Sequence, residues 1–143
     1  MSHPSLTVPR RLFVPADQRV FADDDRPLPI RYAQTISAPH IHRMTLHALR
    51  QTLARFATTT HLPDDEYHVL DVGCGSGYVV ALMCEELDRW VRTLTTPPAH
   101  VRVVGIELVR DIPAQRSMVV MVKRKWLLHV YEGQSSKHNP KIP

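Results

Sequence analysis

The 143-residue chain is predicted to be an α/β protein built on a parallel sheet, and three features predict it. An apolar, β-forming run at Tyr67–Val72 leads straight into glycines at positions 73, 75 and 77. A helical pattern follows, with Val80, Met83, Cys84, Leu87 and Val91 recurring on one face. A second apolar run, Val101–Ile106, closes on Gly105-Ile106-Glu107. Strand, tight turn, helix and strand in that order make a right-handed βαβ unit with parallel strands.

Each element has its own signals. Residues 1–12 carry prolines, polar residues and Arg10-Arg11 without periodicity, and read as an arm that packs loosely or is disordered. Pro27, Pro29 and Pro39 bracket a stretch, Pro27 to His40, that cannot be one helix. It reads as an irregular connection; unstructured loops of that length are usually functional or disordered, and Thr35, Ser37 and His40 clustered beside Ile36 and Ala38 favour function. A helix is predicted from Pro39, which suits a first helical turn, with Ser37 the better capping side chain just outside it. Its apolar stripe is Ile41, Met44, Ala48, Leu49, Leu53 and Phe56, and Thr58-Thr59-Thr60 with Pro63-Asp64-Asp65 ends it. The run Tyr67–Val72 is apolar enough to be buried on both faces. The next helix should run from Gly77 to about Thr93, where Thr95-Thr96-Pro97-Pro98 breaks it. Beyond Glu107, Pro113 interrupts any helix, Ser117–Val122 fits helix or strand, and Leu127–Tyr131 is expected as a third strand, parallel to the others.

Composition bounds the rest. The length suits one domain or part of one, and no apolar run approaches the ~18 residues of a membrane span. A soluble, cytoplasmic protein is expected. The chain is basic, with a pI of about 9.4. Residues 1–109 nevertheless hold eleven Arg and twelve acids, and the surplus lies in 110–143, with seven basic residues against Asp111 and Glu132. The basic stretch lacks interleaved aromatics beyond Trp126 and Tyr131, so nucleic acid is not an expected partner. Cys74 and Cys84 fit neither a zinc spacing nor a disulfide, and Cys74 reads as a small packing residue. His40, His42 and His47 include an i, i+2 pair, which a helix points to different faces, and no metal is expected.

The glycine loop is the chemical centre of this reading. Gly73 and Gly75 bring bare main chain to a ligand, and Gly77 would let the helix pack closely. Dinucleotide loops are usually G-x-G-x-x-G without a carboxylate facing the phosphates. Here Asp71 guards the loop and the third glycine comes one residue early. A ligand with an ammonium group and no phosphate fits better, and S-adenosylmethionine is such a ligand. Glu107 ends the second strand, where a carboxylate accepts from both ribose hydroxyls. Ser37 and His40 also suggest a nucleophile and base. No acid is obviously placed to orient the histidine, however, and Ser37 equally well caps the helix.

Five segments, in order, carry a family resemblance: Phe13-Val14-Pro15, Pro27-Leu28-Pro29-Ile30, Gln34-Thr35-Ile36-Ser37-Ala38-Pro39-His40, the glycine loop with Tyr78, and Gly105-Ile106-Glu107. Over roughly residues 10 to 110 the chain resembles protein-L-isoaspartate O-methyltransferases. The Thr-Ile-Ser-Ala-Pro-His segment is the specific part, since the glycine loop alone would indicate only class I methyltransferases. The resemblance implies methyl transfer from S-adenosylmethionine to the free α-carboxyl of L-isoaspartyl residues in damaged proteins. The carboxylate attacks the methyl in line and S-adenosylhomocysteine is left. It further implies Ser37 as the active-site serine and Thr35, Ile36 and His40 as substrate-loop residues. Asp71, Gly73, Cys74, Gly75 and Gly77 become the cofactor loop, and Glu107 the ribose acid.

Three departures accompany the resemblance. Arg31 and Ala33 stand where the family commonly has glycines, and Arg43 replaces a small residue. The chain is also short for the family. Residues 13–133 are therefore expected to form a partial Rossmann-like methyltransferase domain, between the arm 1–12 and a flexible basic tail, 134–143. A complete chain is expected to be a monomer; a truncated one would expose sheet edge and self-associate. The alternative function is an inactive homologue, or a partner-binding fragment, that retains part of the cofactor site.

Overall fold

A computed structural model describes residues 5–57, 66–107, 118–123 and 125–130, the last two stretches by their main chain. Two 3₁₀ turns, Arg10–Phe13 and Ala16–Phe21, precede strand β1 (Leu28–Arg31), strand β2 (Gln34–Ile36) and helix α1 (Pro39–Ala57). Strand β3 (Glu66–Val72), helix α2 (Tyr78–Val91) and strand β4 (His100–Ile106) form the βαβ unit, and strands β5 (Met118–Lys123) and β6 (Lys125–Val130) follow. β3 and β4 pair in parallel from Glu66↔His100 to Val72↔Ile106, so the α/β reading holds.

The third strand departs from expectation. β4 pairs with β5 and β5 with β6, both antiparallel, giving a mixed sheet in the order β3-β4-β5-β6. A parallel neighbour needs a crossover of about a dozen residues or more. Only position 124 separates β5 from β6, so these two strands have to run antiparallel. The tail 134–143 and the interruption at Pro113 lie outside the described residues.

α2 is buried on two sides because it lies between two layers. Val80, Cys84, Leu87 and Trp90 pack with Leu53, Val101 and Val103 under the sheet. Tyr78 and Leu82 pack with Val14, Leu28, Ile30, Ile36 and Leu46 in the N-terminal layer. Glu86 shares that helix and is only 7 % exposed. It is held by Arg50 of α1, whose Nε and Nη2 donate at 2.7 and 2.8 Å, and by Arg89 at 2.7 Å. A carboxylate so enclosed is tolerable only when paired in this way.

Several local expectations are corrected. The stretch after Pro27 is not irregular: β1 and β2 form an antiparallel hairpin, Leu28↔Ile36 to Arg31↔Gln34. Its turn holds Arg31, Tyr32 and Ala33 at φ 86°, 49° and 56°. Positive φ at both central residues is the mark of a type I′ turn, which usually takes Asn-Gly. None of those residues is present here, which is why the hairpin went unseen.

The buried seam of α1 is His42, Leu46 and Leu53, while Ile41, Met44 and Phe56 of the expected stripe are exposed. The helix start is capped not by Ser37 but from a distance: Asp25 Oδ1 accepts from the His40 N–H at 2.9 Å. β3 is not buried on both faces either. Tyr67 and Val69 pack on the core, whereas Leu70 and Val72, on the opposite face, are 55 % and 74 % exposed.

The arm also departs from its reading. Leu6 and Val8 pack against the N-terminal core, Thr7 donates to Glu85, and Tyr78 donates its hydroxyl to the Val8 carbonyl at 2.9 Å. Arg10 is buried.

Candidate functional site

The glycine loop wraps the end of β4. Gly73 and Cys74 donate their N–H groups to the Ile106 carbonyl at 2.8 and 3.1 Å, and Gly75 donates to Glu107 Oε2 at 2.8 Å. All three loop glycines take positive φ, at 78°, 52° and 78° for positions 73, 75 and 77, a conformation that β-carbon-bearing residues adopt only at a cost. Gly77 caps α2 in that left-handed state. A close approach is also needed at Gly105, where a Cβ would meet Val80 Cγ2 at 2.8 Å and Cys74 Sγ at 2.9 Å. The loop, the helix start and the end of β4 are therefore packed against one another with no room for a methyl group.

The N-terminal hairpin lies over this loop: a Cβ on Gly75 would stand 3.3 Å from Ile30 Cδ1. Between the two lies a cleft of about 230 Å³. Thr35, Ile36 and Ser37 line one side, and Asp71, Gly73, Cys74 and Gly75 line the other. Two segments more than thirty residues apart in the sequence thus share one cavity. Glu107 reaches it through its bond to the Gly75 N–H, and Gly77 serves it indirectly as the helix cap.

The site's electrostatics centre on Asp71. Its Oδ2 is buried with no hydrogen-bond partner among the described residues. Burial first, and then the Glu107 charge, push its carboxyl above the usual carboxylate range. A half-buried acid beside a second acid and without a donor is a site that a cation would relieve. Gly73, at φ 78°, has nothing within 4 Å of where a Cβ would stand, so main chain is open to the cleft there. An orphaned carboxylate, an open main-chain cradle and a strand-end acid fit the ammonium and ribose groups of S-adenosylmethionine. The Cys74 thiol is raised to about 11 by burial and then by Asp71 and Glu107. It is therefore a packing thiol in the cleft wall and not a nucleophile.

His40 stands apart. It does not line the cleft, and its Nδ1 lies 2.9 Å from Asp25 Oδ1. An acid does orient His40, contrary to expectation, and it comes from the acidic run Asp23-Asp24-Asp25. The His40 main-chain N–H and then its ring hold the Asp25 carboxyl below its ordinary value.

His42 points to the other side of α1, is 3 % exposed, and meets the Tyr78 ring edge-on at 4.8 Å between centroids. Its pKa is lowered to about 4, by burial first and also by Arg10 and His40, with the Ser37 main chain acting in the opposite direction. The imidazole is therefore neutral at pH 7. Sequence reasoning passed over His42, Ile41, Thr45, Ser76 and Met83 as lining residues. The faces of α1 and α2 that meet the cleft carry no motif of their own.

Comparison with known proteins identifies the family. The family model for protein-L-isoaspartate(D-aspartate) O-methyltransferase matches residues 3–137. A protein-L-isoaspartate O-methyltransferase from Aeropyrum pernix is 36 % identical over 134 residues, covering 93 % of this chain and 43 % of the relative. One from Pyrobaculum islandicum is 30 % identical over 133 residues, covering 92 % and 54 %. A crystal structure from Plasmodium falciparum, titled as a protein of this kind in complex with S-adenosyl-L-homocysteine, aligns with a TM-score of 0.49 and 28 % identity over 72 % of this chain and 38 % of that one. The chain thus spans about half the length of the curated relatives it matches. With the βαβ unit, the glycine loop and the family match together, the chain belongs to the protein-L-isoaspartate(D-aspartate) O-methyltransferase family.

Proposed function

We propose that this chain binds S-adenosylmethionine in the cleft between the hairpin and the glycine loop, and methylates the free α-carboxyl of L-isoaspartyl residues. The observation that carries the reading is the shared cleft, with Thr35, Ile36 and Ser37 facing Asp71, Gly73 and Gly75. Asp71 holds the cofactor's ammonium, Gly73 and Gly75 admit its main body, and Glu107, steadied by the Gly75 N–H, takes the ribose. Bound there, the cofactor supplies an electrophilic methyl group.

The chain's own residues orient and desolvate the substrate. A substrate carboxylate is already ionised at neutral pH, so no base is required. Consistent with that, the histidine in the cleft wall is neutral. Ser37 donates a hydrogen bond that aims the carboxylate, while Ile36 and Ile41 exclude water from it. The substrates are peptides and proteins carrying isoaspartate, and the work is protein repair in the cytoplasm. Among the described residues, no helix is long and apolar enough to cross a membrane.

A second reading has an observation in its favour. Leu70, Val72 and Ile106 present an exposed apolar sheet face, which suits a partner-binding fragment that retains part of the cofactor site.

Calorimetric titration with S-adenosylhomocysteine, followed by a methyl-transfer assay on an isoaspartyl peptide, separates the two. Saturable heat and turnover are expected. Absence of heat at high-micromolar ligand would sink the enzyme reading for this chain. Ser37→Ala is expected to lower kcat by about 10²-fold, the scale of a lost positioning contact, while cofactor affinity stays within a few-fold. Equal losses in both would remove the substrate-orienting role.

A further inference from the structure

Arg10 is 4 % exposed, and among the described residues no carboxylate forms an ion pair with it. Its partners are three main-chain carbonyls. Nη1 donates to Ala22 at 2.8 Å, and Nη2 donates to Arg26 and to Ser37 at 2.9 Å each. These carbonyls belong to three separate segments: the end of the second 3₁₀ turn, the approach to β1 and the exit from β2. Asp23 and Asp25 act on the guanidinium only through space.

The hairpin ladder ends at Leu28↔Ile36, so Arg26 and Ser37 lie beyond the last strand pair, where the two chains are free to splay. Arg10 bridges them at that point. A guanidinium suits the position because its donors lie in one plane in a fixed fork; a lysine ammonium, shorter and without the fork, does not reproduce that arrangement. Burying a charge against neutral carbonyls is costly, and the site keeps it nonetheless.

We infer that Arg10 is a positioning residue for the reaction: by holding the Ser37 carbonyl, it sets where the Ser37 hydroxyl stands at the cleft. The inference rests on the methyl-transfer reading for its chemical consequence, but the clamp itself can be tested without it. Nothing in the sequence marks Arg10, which reads there as one of two basic residues in an arm. Neighbouring Arg11 makes none of these bonds and is exposed.

The test uses Arg10→Lys in the full chain. Amide hydrogen exchange should quicken by tenfold or more over residues 22–28 and 34–40, while α2 and β4 keep their rates. Unchanged exchange over those two stretches, or an equal rise everywhere, would overturn the clamp. This readout needs no activity, so it is independent of the cofactor titration on which the functional reading depends.

In the assay, Arg10→Lys should lower kcat about tenfold and leave S-adenosylhomocysteine affinity within twofold. Introduced into Ser37→Ala, it should lower kcat by less than twofold further, because its effect passes through that serine. Multiplicative losses would overturn the positioning role. If Arg10→Lys does not fold, nuclear magnetic resonance of the parent chain decides the clamp: separate, slowly exchanging Arg10 Nη protons are expected, and averaged ones contradict it.

Discussion

At the scale of single residues, burial sets Asp71 and His42, both in the cleft wall, in opposite senses. Asp71 is raised, so its ionised form is the strained one and a cationic ligand relieves it. His42 is lowered to about 4 from its ordinary value of 6.5, so its neutral form is the one the fold accepts. For His42 the unfolded chain binds the proton more readily. Its contribution to stability is therefore complete above pH 6.5 and is lost as pH falls toward 4. By pH 5 the loss is about 2 kcal/mol. We expect the melting temperature to fall between pH 7 and pH 5 by several degrees more in the parent chain than in His42→Phe, which keeps an apolar ring against Tyr78. Parallel melting profiles for the two proteins would show that another group controls the acid response.

At the scale of elements, the hairpin β1–β2 is the costly part of the site. Arg31, Tyr32 and Ala33 all occupy positive φ, and each non-glycine residue there carries about 1 kcal/mol of strain. The turn persists because its strands bury Leu28, Ile30 and Ile36 in the N-terminal core and Arg10 ties their ends. The strain is local, and glycine removes it. Ala33→Gly should therefore stabilise the chain by about 1 kcal/mol, seen as a higher urea midpoint at unchanged slope. A lower midpoint would mean that the Ala33 methyl group contributes more in packing than the backbone costs. Elsewhere the elements were legible to different degrees. The βαβ unit announced itself because an apolar run, three glycines and a 3.6-residue period leave few alternatives. The hairpin did not, because its turn carries none of the residues that such turns prefer. The α1 seam was misassigned because a neutral histidine, His42, takes a core position that apolar periodicity would not give it.

At the scale of the whole molecule, α2 lies between the sheet and the N-terminal layer, and the face of the sheet away from it carries an apolar patch. Leu70 and Val72 of β3 and Ile106 of β4 are half or more exposed, and Val72 stands beside Ile106 in register. Among the described strands β3 lies at the sheet edge, and an open edge next to an apolar face favours association. Sedimentation equilibrium should show the mean mass rising with concentration, and Val72→Lys with Ile106→Lys should hold the chain monomeric. A single monomer mass for the parent chain at every concentration would refute this.

The βαβ unit, the glycine loop from Asp71 to Gly77 and the family could all be read from the chain alone, because they depend on local conformation and on motif order. Folding was needed to show that Thr35–Ser37 and Asp71–Gly75 share one cleft, that Asp25 rather than Ser37 caps α1, that Arg10 is buried on three main-chain carbonyls, and that the later strands run antiparallel. The physical reason is the same in each case. A buried charge, a cap drawn from fifteen residues away and a strand direction all depend on partners distant in the chain, and no local pattern encodes where those partners will stand.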